Sequence, residues 1–279
     1  MPAKIIDGKK IAEKIKDSIV QEIAKLPSRP NLAIILVGER PDSCLYVSLK
    51  EKESKKVGID VHCYKFDNDA SEKKLLECIE FLNKDAKIDG ILVQLPLPKG
   101  FDTDKIIAAV DARKDVDGFH PMNLEKIKSG GNYVMPPLAG VVLEICREIE
   151  FDLHNEKIVI VGKSDVLLNG MSKILKQHGG EVATVKSDDS DLQKKCQQAD
   201  VLITAVGKKH YLTSDFVKEN AIVIDIGIIK EGKDTYGDVD FESVRKVAGY
   251  ITPVPGGVGP MTIALAFRNV LELRRKAHP

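Results

Sequence analysis

The sequence lacks the features that mark a membrane protein, a nucleic-acid-binding protein or a secreted protein. Lys plus Arg and Asp plus Glu both number 42 among 279 residues, so there is no net charge to attract nucleic acid or an anionic membrane. No apolar run reaches the roughly 20 residues of a spanning helix, and residues 1–15 lack the apolar core of a signal peptide. We therefore expect a cytoplasmic protein whose partners include neither a membrane nor a nucleic acid.

Cysteine is scarce and scattered. The five cysteines form no C-x-x-C pair, which argues against a structural zinc site and against a disulfide framework, and we expect no metal. The sequence also has no internal repeat and no low-complexity segment. With 43% hydrophobic and 30% charged residues, it has the composition of an ordinary globular chain that is long enough for two domains.

Two successive alternations of strand-like and helix-like segments cover most of the chain. In the first, apolar strands at 31–38, 59–66 and 88–98 alternate with helical patterns at 11–26, 43–57 and 71–83. The second begins at Lys157, with strands at 157–162, 181–185, 201–206, 221–225 and 249–252 and helices at 170–178 and 192–198. This order predicts two three-layer α/β domains with a cleft between them, the second a Rossmann-like dinucleotide-binding domain. The boundaries we expect are 1–136 plus 261–279 for the first domain and 137–260 for the second.

The segment 251–262, ITPVPGGVGPMT, contains three prolines and three glycines in twelve residues. Proline fixes φ, and glycine lets another group approach the backbone closely, so this density predicts a shaped loop. Such a loop, followed by a helix, can present backbone donors to an anion or to a flat ligand. A plain connection between two domains is the alternative.

Four polar residues of the first domain could carry chemistry. Tyr46 and Lys50 are four residues apart and share one face of a predicted helix, where burial could hold the lysine neutral. Gln94 ends an apolar strand, at the edge where open α/β sheets bind ligands. Asp117 lies in the loop 114–121, where its carboxylate could accept a bidentate hydrogen bond from an amino-pyrimidine edge. An ordinary surface pair and an ordinary Asp-Gly turn are the alternatives.

The segment 158–170 has the order of a phosphate-binding turn. A strand ends at Gly162, and the polar residues Lys163 and Ser164 precede a helix, although the generic G-x-G-x-x-G fingerprint is absent. The next strand leads to Lys186 and Ser187, which would favour the 2′-phosphate of NADP. The following Asp188 and Asp189 would work against it, so NAD stays open.

Together these segments resemble the bifunctional methylenetetrahydrofolate dehydrogenase/cyclohydrolase family. The segments that carry the resemblance, in order along the chain, are IIDGKKIA (5–12), SCLYVSLKEKESKKVGI (43–59), DGILVQLPLPKG (89–100), KDVDGFHP (114–121), ADVLITAVGK (199–208), AIVIDIGI (221–228), GDVDF (237–241) and ITPVPGGVGPMT. The resemblance implies a homodimer that oxidises methylenetetrahydrofolate to methenyltetrahydrofolate with NADP. It also implies hydrolysis of that product to 10-formyltetrahydrofolate in one-carbon metabolism.

The resemblance also assigns roles to residues. Lys50 matches the catalytic lysine, Gln94 its partner, Tyr46 a tyrosine that stacks near the folate, and Asp117 the aspartate that reads the pterin. The further substrate-binding residues that it implies are Leu95, Pro96, Pro255, Gly256, Gly257 and Gly259. The cofactor-binding residues that it implies are Gly162, Lys163, Ser164, Lys186, Ser187, Val206, Gly207, Ile228 and Thr262.

Two departures from the family pattern fall on the cofactor side. The family's Pro-Cys-Thr-Pro-x-Gly is MPPLAG (135–140) here, with Pro136 and Pro137 in place of cysteine and threonine. In the phosphate turn, Lys163 replaces an arginine and loses its bidentate fork, and Leu168 would place a side chain where backbone approaches phosphate. One alternative is therefore a cyclohydrolase with weak, NAD-linked or absent dehydrogenase activity. Another is a non-catalytic folate- or nucleotide-binding protein.

Overall fold

A computed structural model of the chain describes residues 2–163 and 165–278, which form two compact units. The small-sheet unit comprises Glu13–Pro137 and Ile263–Pro279, and the large-sheet unit comprises Met1–Ala12 and Leu138–Thr262. In the described part of the chain, no helix combines the length and the apolarity needed to cross a membrane.

The small-sheet unit is built on three parallel strands. The chain starts with β1 (Lys4–Ile5) and α1 (Gly8–Ile23) and continues through β2 (Asn31–Val37), α2 (Pro41–Val57), β3 (Asp60–Phe66), α3 (Glu72–Lys84), β4 (Gly90–Val93), α4 (Thr103–Ala109) and α5 (Pro121–Ser129). The strand order is β3-β2-β4, and both pairings are parallel. The central strand β2 is almost entirely apolar because both of its faces are covered.

Helices cover this sheet on two sides. Ala33, Ile35 and Val37 share a core with residues of α3 and α4, such as Leu75 and Ile106. On the other face, a Cβ placed on Gly90 would meet the side chains of Leu32, Val116 and Val270. Helix α2 begins with Pro41, whose missing N–H costs nothing there, and ends at Gly58, whose φ of 86° closes the last turn.

The large-sheet unit contains six parallel strands. Its elements are α6 (Pro137–Glu148), β5 (Lys157–Gly162), α7 (Asp165–Gln177), β6 (Glu181–Lys186), α8 (Leu192–Cys196), β7 (Val201–Ala205), β8 (Ile222–Asp225), β9 (Ile229–Glu231), β10 (Asp234–Tyr236), α9 (Phe241–Val244), β11 (Tyr250–Ile251) and the start of α10 (Val258–Ala277). From Ile263 onward, α10 belongs to the small-sheet unit. The sheet order is β1-β11-β8-β7-β5-β6, and β9 and β10 form a separate antiparallel pair. Because β6 and β7 lie on opposite sides of β5, the strand order reverses at β5. In open α/β sheets, ligands bind beyond the carboxyl ends of strands at such a point.

The predicted α/β class is confirmed, but several predicted boundaries differ from the structure. Helix α7 begins at Asp165, so Gly170 lies inside the helix and does not start it. The sequence did not predict α5 or the β9–β10 pair. Residues 1–12, which we expected in the first domain, belong to the large-sheet unit because β1 pairs with β11. The functional labels of the two domains stay predictions.

Candidate functional site

Lys50 and Gln94 form a hydrogen bond in the small-sheet unit. Lys50 projects from α2, Gln94 follows the carboxyl end of β4, and Nζ of the lysine donates to Oε1 of the glutamine over 2.8 Å. Lys50 is only 6% exposed. Burial lowers the pKa of its amine, and the negative charge of Asp117 opposes this lowering. The partner of this buried amine is thus a neutral amide oxygen, which does not require the charged form.

Tyr46 lies one helical turn before Lys50 on α2. Nζ of Lys50 is 5.8 Å from the centroid of the Tyr46 ring. Burial, with a smaller contribution from Asp42, raises the pKa of the Tyr46 phenol to about 12, so the phenol stays neutral near pH 7. An uncharged ring therefore lies beside the amine. The four-residue spacing of Tyr46 and Lys50 predicts this proximity, because it places both side chains on one face of α2.

Gln94 is itself held in place by neighbouring backbone groups. Its backbone N–H donates to the carbonyl of Ile35 in β2, and Nε2 of its side chain donates to the carbonyl of Leu95. The Leu95–Pro96 peptide bond is cis, and Leu95 packs against the core shared by the sheet and α3. These contacts leave Oε1 as the side-chain atom that faces Lys50.

Asp117 lies in a loop that buried side chains hold in shape. The carboxylate of Asp115 accepts hydrogen bonds from the backbone N–H groups of Gly118 (3.1 Å) and His120 (2.8 Å). Burial raises the pKa of Asp117 to about 6; the Lys50 charge lowers it and Asp115 raises it. Asp117 is therefore mostly ionised at neutral pH, and it can accept hydrogen bonds there.

Two asparagines support the same loop from other elements. Nδ2 of Asn123 in α5 donates to the carbonyls of Gly118 and Val134, both at 2.8 Å. Nδ2 of Asn269 in α10 donates to the carbonyls of Val116 and Met135, also at 2.8 Å. The sequence analysis missed these asparagines and Asp115, because their partners are backbone atoms that no short motif reveals.

The remaining residues assigned to the substrate lie in the large-sheet unit, in the segment 251–262, which leads from β11 into α10 and is called the Pro/Gly segment below. Gly256 has a φ of 108°, which side chains rarely adopt. A Cβ on Gly257 would lie 2.6 Å from the carbonyl oxygen of Pro253, and one on Gly8 would lie 1.8 Å from the carbonyl oxygen of Gly257. Glycine is required at these close approaches. Pro255 stands in the loop itself, whereas Gly259 falls in the first turn of α10.

Thr262 is in the same helix as Gly259, and its hydroxyl is engaged within that helix. Oγ1 of Thr262 donates to the carbonyl of Val258 at 3.1 Å. The side chain is only partly buried, and its oxygen can still accept a hydrogen bond.

The residues assigned to the cofactor gather at the carboxyl ends of β5, β6, β7 and β8. Gly162 ends β5, Lys186 ends β6, and Nζ of Lys186 donates to the carbonyl of the exposed Lys163 at 3.1 Å. Ser164 lies outside the described residues. Leu168 is buried, and its Cδ2 lies 3.2 Å from the position of a Cβ on Gly162. Its side chain is therefore buried against Gly162, the first residue of the predicted phosphate turn, and its effect on phosphate binding stays a prediction.

The end of β6 is connected to the segment after β7. Ser187 is buried, and its carbonyl accepts a hydrogen bond of 2.5 Å from Oη of Tyr211, over whose ring Nζ of Lys208 lies at 4.7 Å. Asp189 forms an ion pair of 2.6 Å with Lys195. One of the two carboxylates that argued against a 2′-phosphate therefore has a cation beside it.

Val206, Gly207 and Ile228 follow β7 and β8, at the edge to which the strand order directs a ligand. Gly207 has a φ of 70°, and among the described residues no heavy atom lies within 4 Å of the position of a Cβ on it. Its backbone therefore faces open space, as an approach of phosphate or ribose to the main chain requires. Two buried carboxylates, Asp225 and Asp238, hold these segments, and the sequence analysis missed them both.

No group of three or more His, Cys, Asp or Glu side chains that could hold a metal ion occurs within residues 2–163 and 165–278.

Two family models match the chain. Residues 6–117 match the tetrahydrofolate dehydrogenase/cyclohydrolase catalytic domain, and residues 136–278 match the NAD(P)-binding domain of the same family. Among curated proteins, the bifunctional protein FolD of Nautilia profundicola is 44% identical over 273 residues, which cover 96% of each chain.

Solved structures show the same similarity. The bifunctional enzyme FolD of Campylobacter jejuni is 38% identical with a TM-score of 0.93, and the match covers 98% of this chain and 99% of that one. The Trypanosoma brucei methylenetetrahydrofolate dehydrogenase-cyclohydrolase, solved with NADP and an inhibitor, is 28% identical with a TM-score of 0.94 over the whole of both chains.

Proposed function

Because the chain belongs to the tetrahydrofolate dehydrogenase/cyclohydrolase family, we propose that it catalyses two consecutive reactions of one-carbon metabolism. The first is the NADP-dependent oxidation of methylenetetrahydrofolate to methenyltetrahydrofolate. The second is the hydrolysis of that product to 10-formyltetrahydrofolate. The small-sheet unit binds the folate, and the large-sheet unit binds the dinucleotide. The enzyme is a cytoplasmic homodimer that acts on neither nucleic acid nor membranes.

The observation that carries this proposal is the buried hydrogen bond from Lys50 to Gln94. A buried lysine with a lowered pKa and a neutral partner is suited to accept a proton. The methenyl substrate is a cation, and a nearby cation disfavours the ammonium form further. Nζ of Lys50 takes a proton from the water that attacks the methenyl carbon, while Oε1 of Gln94 holds the amine in position. A protein that only bound folate would have no use for this base.

Asp117 and Tyr46 orient the substrate. With a pKa of about 6, Asp117 is mostly ionised at neutral pH, and its two oxygens accept hydrogen bonds from the amino-pyrimidine edge of the pterin. The neutral ring of Tyr46 provides a stacking surface beside the amine of Lys50. Leu95 and Pro96, which follow Gln94 directly, complete this group of substrate-binding residues.

The residues at the edge of the large sheet fit a dinucleotide. The open backbone at Gly207 and the exposed Lys163 beside Gly162 supply the close approach and the positive charge that phosphates need. NADP supplies the hydride acceptor of the oxidation, and the protein needs no acid or base for that step. Lys186 and Ser187 at the end of β6 favour NADP over NAD, and Lys195 offsets the charge of Asp189.

The second candidate is a cyclohydrolase whose dehydrogenase activity is weak, NAD-linked or absent. Pro136 and Pro137 favour it, because they are buried where the family has cysteine and threonine. Lys163 favours it too, since lysine cannot form the bidentate contact of an arginine.

The test compares the purified chain with Lys50→Ala and with Lys52→Ala, an exposed lysine of the same helix. Hydrolysis of methenyltetrahydrofolate should fall at least about a hundredfold in Lys50→Ala, the scale of a lost general base, and should be unchanged in Lys52→Ala. Oxidation of methylenetetrahydrofolate is measured with NADP and with NAD in parallel. Hydrolysis without oxidation by either cofactor would select the second candidate, and folate binding without turnover would leave only a binding protein.

A further inference from the structure

Asp238 is fully buried, and its carboxylate accepts hydrogen bonds from the backbone of another segment. Oδ2 accepts a hydrogen bond from the N–H of Val206 at 2.5 Å, and Oδ1 accepts one from the N–H of Lys208 at 2.9 Å. The N–H of Gly207 between them also lowers the pKa of this carboxyl, against the effect of burial, which raises it. One carboxylate therefore fixes three consecutive residues that follow β7.

Asp225, at the end of β8, continues the same network. Its Oδ1 accepts hydrogen bonds from the N–H groups of Gly227 (2.9 Å) and Asp238 (3.1 Å), and its Oδ2 accepts one from the N–H of Val239 (2.9 Å). The backbone N–H of Asp225 donates to Oγ1 of Thr252, at the start of the Pro/Gly segment. The two carboxylates thus connect the ends of β7 and β8 with the loop that follows β11.

Two glycines show how tightly this network is packed. A Cβ on Gly227 would lie 2.3 Å from Cγ of Asp238, and a Cβ on Gly237 would lie 2.0 Å from Oδ2 of Asp225. Real side chains do not come so close to a carboxylate, so neither position accepts any residue larger than glycine without displacement of the acid.

We propose that Asp238 and Asp225 are positioning residues for the dinucleotide, and this rests on the proposed function of the large-sheet unit. They set the backbone of Val206 and Gly207, and that of Gly227 next to Ile228, in the shape that receives the cofactor, without touching it. Asp238 also fixes the backbone of Lys208, whose amine lies over Tyr211 next to Ser187. Through this backbone contact, Asp238 positions the Lys208 amine relative to the end of β6.

Asparagine is the informative substitution at Asp238. It keeps the size of the side chain, but its amide has one acceptor and one donor, whereas both carboxylate oxygens accept backbone N–H groups. One of the N–H groups of Val206 or Lys208 must then face an NH₂ group, and the loop must shift. Asp240→Asn is the matched control, because the Asp240 carboxylate lies two residues further on and accepts a hydrogen bond from the N–H of Ser243 within α9, not from the segment after β7.

The experiment measures NADP binding by calorimetry and both activities in the wild-type chain, Asp238→Asn, Asp225→Asn and Asp240→Asn. We expect the Kd and KM for NADP to rise at least about tenfold in the first two variants, the cost of one unsatisfied buried N–H. Hydrolysis of methenyltetrahydrofolate should stay within about twofold of wild type in all three, since a local change in the large-sheet unit leaves Lys50 in place. Asp240→Asn should match wild type throughout.

Several results would overturn the proposal. One is unchanged NADP affinity in a folded Asp238→Asn; another is a parallel loss of hydrolysis and NADP binding, which would indicate a general role in folding. If the variants do not fold, amide exchange in the wild-type chain decides: NADP should slow exchange at residues 206–208, and unchanged exchange there contradicts the proposal. A wild-type chain that binds neither NADP nor NAD would instead refute the dehydrogenase half of the proposed function, and the positioning role with it.

Discussion

Arg274 and Asp89 form a buried ion pair in the small-sheet unit. Nη1 of Arg274, near the end of α10, lies 3.1 and 3.0 Å from the two carboxylate oxygens of Asp89, which precedes β4. Oδ2 of Asp89 also accepts a hydrogen bond from the N–H of Asn31, and Nη2 of Arg274 donates to Oγ of Ser28. The end of the chain is thereby attached to the starts of β2 and β4.

Loss of Arg274 should destabilise the protein strongly. Arg274→Met leaves the Asp89 carboxylate buried without its cation, which costs about 3–5 kcal/mol of unfolding free energy. Adding Asp89→Asn should recover part of that loss, because no uncompensated charge then remains. Arg275→Met is the control: its ion pair with Glu22 is half exposed and contributes less than about 1 kcal/mol. The sequence has no tryptophan, so urea unfolding is followed by circular dichroism. Equal losses in Arg274→Met and Arg275→Met would contradict this prediction.

A negative charge at position 94 should move the pH profile of hydrolysis. In Gln94→Glu, a carboxylate replaces the neutral oxygen 2.8 Å from Nζ of Lys50, stabilises the ammonium form and raises the pKa of the lysine. The rate at pH 7 should therefore fall, by up to about tenfold for each unit of that rise, and the acidic limb of the profile, on which the rate increases with pH, should move to higher pH. Gln94→Ala removes the acceptor without adding charge, so the acidic limb of its pH profile should not move to higher pH. An unshifted profile in Gln94→Glu would show that Lys50 does not act as the base.

Asp225 should make stability depend on pH near neutrality. Burial raises its pKa in the folded state to about 7, far above its ordinary value of 3.8. Between these values the folded state holds a proton that the unfolded state has lost, so this carboxyl destabilises the fold progressively as pH rises towards 7. From about pH 5.5 to 8 the loss is ~2 kcal/mol.

The lowered pKa of Lys50 acts in the opposite direction, so the prediction concerns a difference between two proteins. The unfolding free energy of the wild type should fall with pH more steeply than that of Asp225→Asn, which has no proton to lose at this position. Urea titrations at several pH values measure both slopes. Identical slopes would refute the titration of Asp225 in this range.

Gly170→Ala should stabilise the protein. Gly170 lies inside α7, and a Cβ there meets no heavy atom of the described part of the chain within 4 Å, so alanine should add about 0.5–1 kcal/mol through its higher helix propensity. NADP affinity should not change. Gly207→Ala is the matched contrast: the space is equally open, but the φ of 70° disfavours a side chain, and stability should fall. Thermal unfolding should show a higher Tm in Gly170→Ala and a lower Tm in Gly207→Ala than in the wild type. Equal shifts of Tm in the two variants would contradict this prediction.

Local patterns were sufficient for elements whose causes are local. The apolar run 31–38 predicted β2 because both faces of the strand are buried, and Gly58 marked the end of α2 because the last turn needs a positive φ. Helix α5 was missed because Pro121 and Gly130, which begin and end it, resemble loop residues when no apolar stripe joins them. The pairing of Lys4 with Tyr250 leaves no local trace, since a strand of two residues has no periodicity.

The residues of the candidate site also fall into those that a local segment reveals and those that only the fold reveals. Lys50, Gln94 and Asp117 were found by resemblance, because their side chains belong to recognisable segments. Asp115, Asn123, Asn269, Asp225 and Asp238 act on backbone groups that lie elsewhere in the chain. Their function depends on which carbonyl or N–H the fold brings near, and residue type and spacing do not encode that directly.

The parallel pairing of β1 with β11 has a consequence for biosynthesis. Lys4 is translated long before Tyr250, so at ordinary translation rates β1 waits on the order of tens of seconds for its neighbour. The small-sheet unit waits as well, because Ile263 and the residues after it are made later still. A nascent chain stalled before Tyr250 therefore carries two incomplete units, one without a strand of its sheet and the other without the helix residues that follow Ile263.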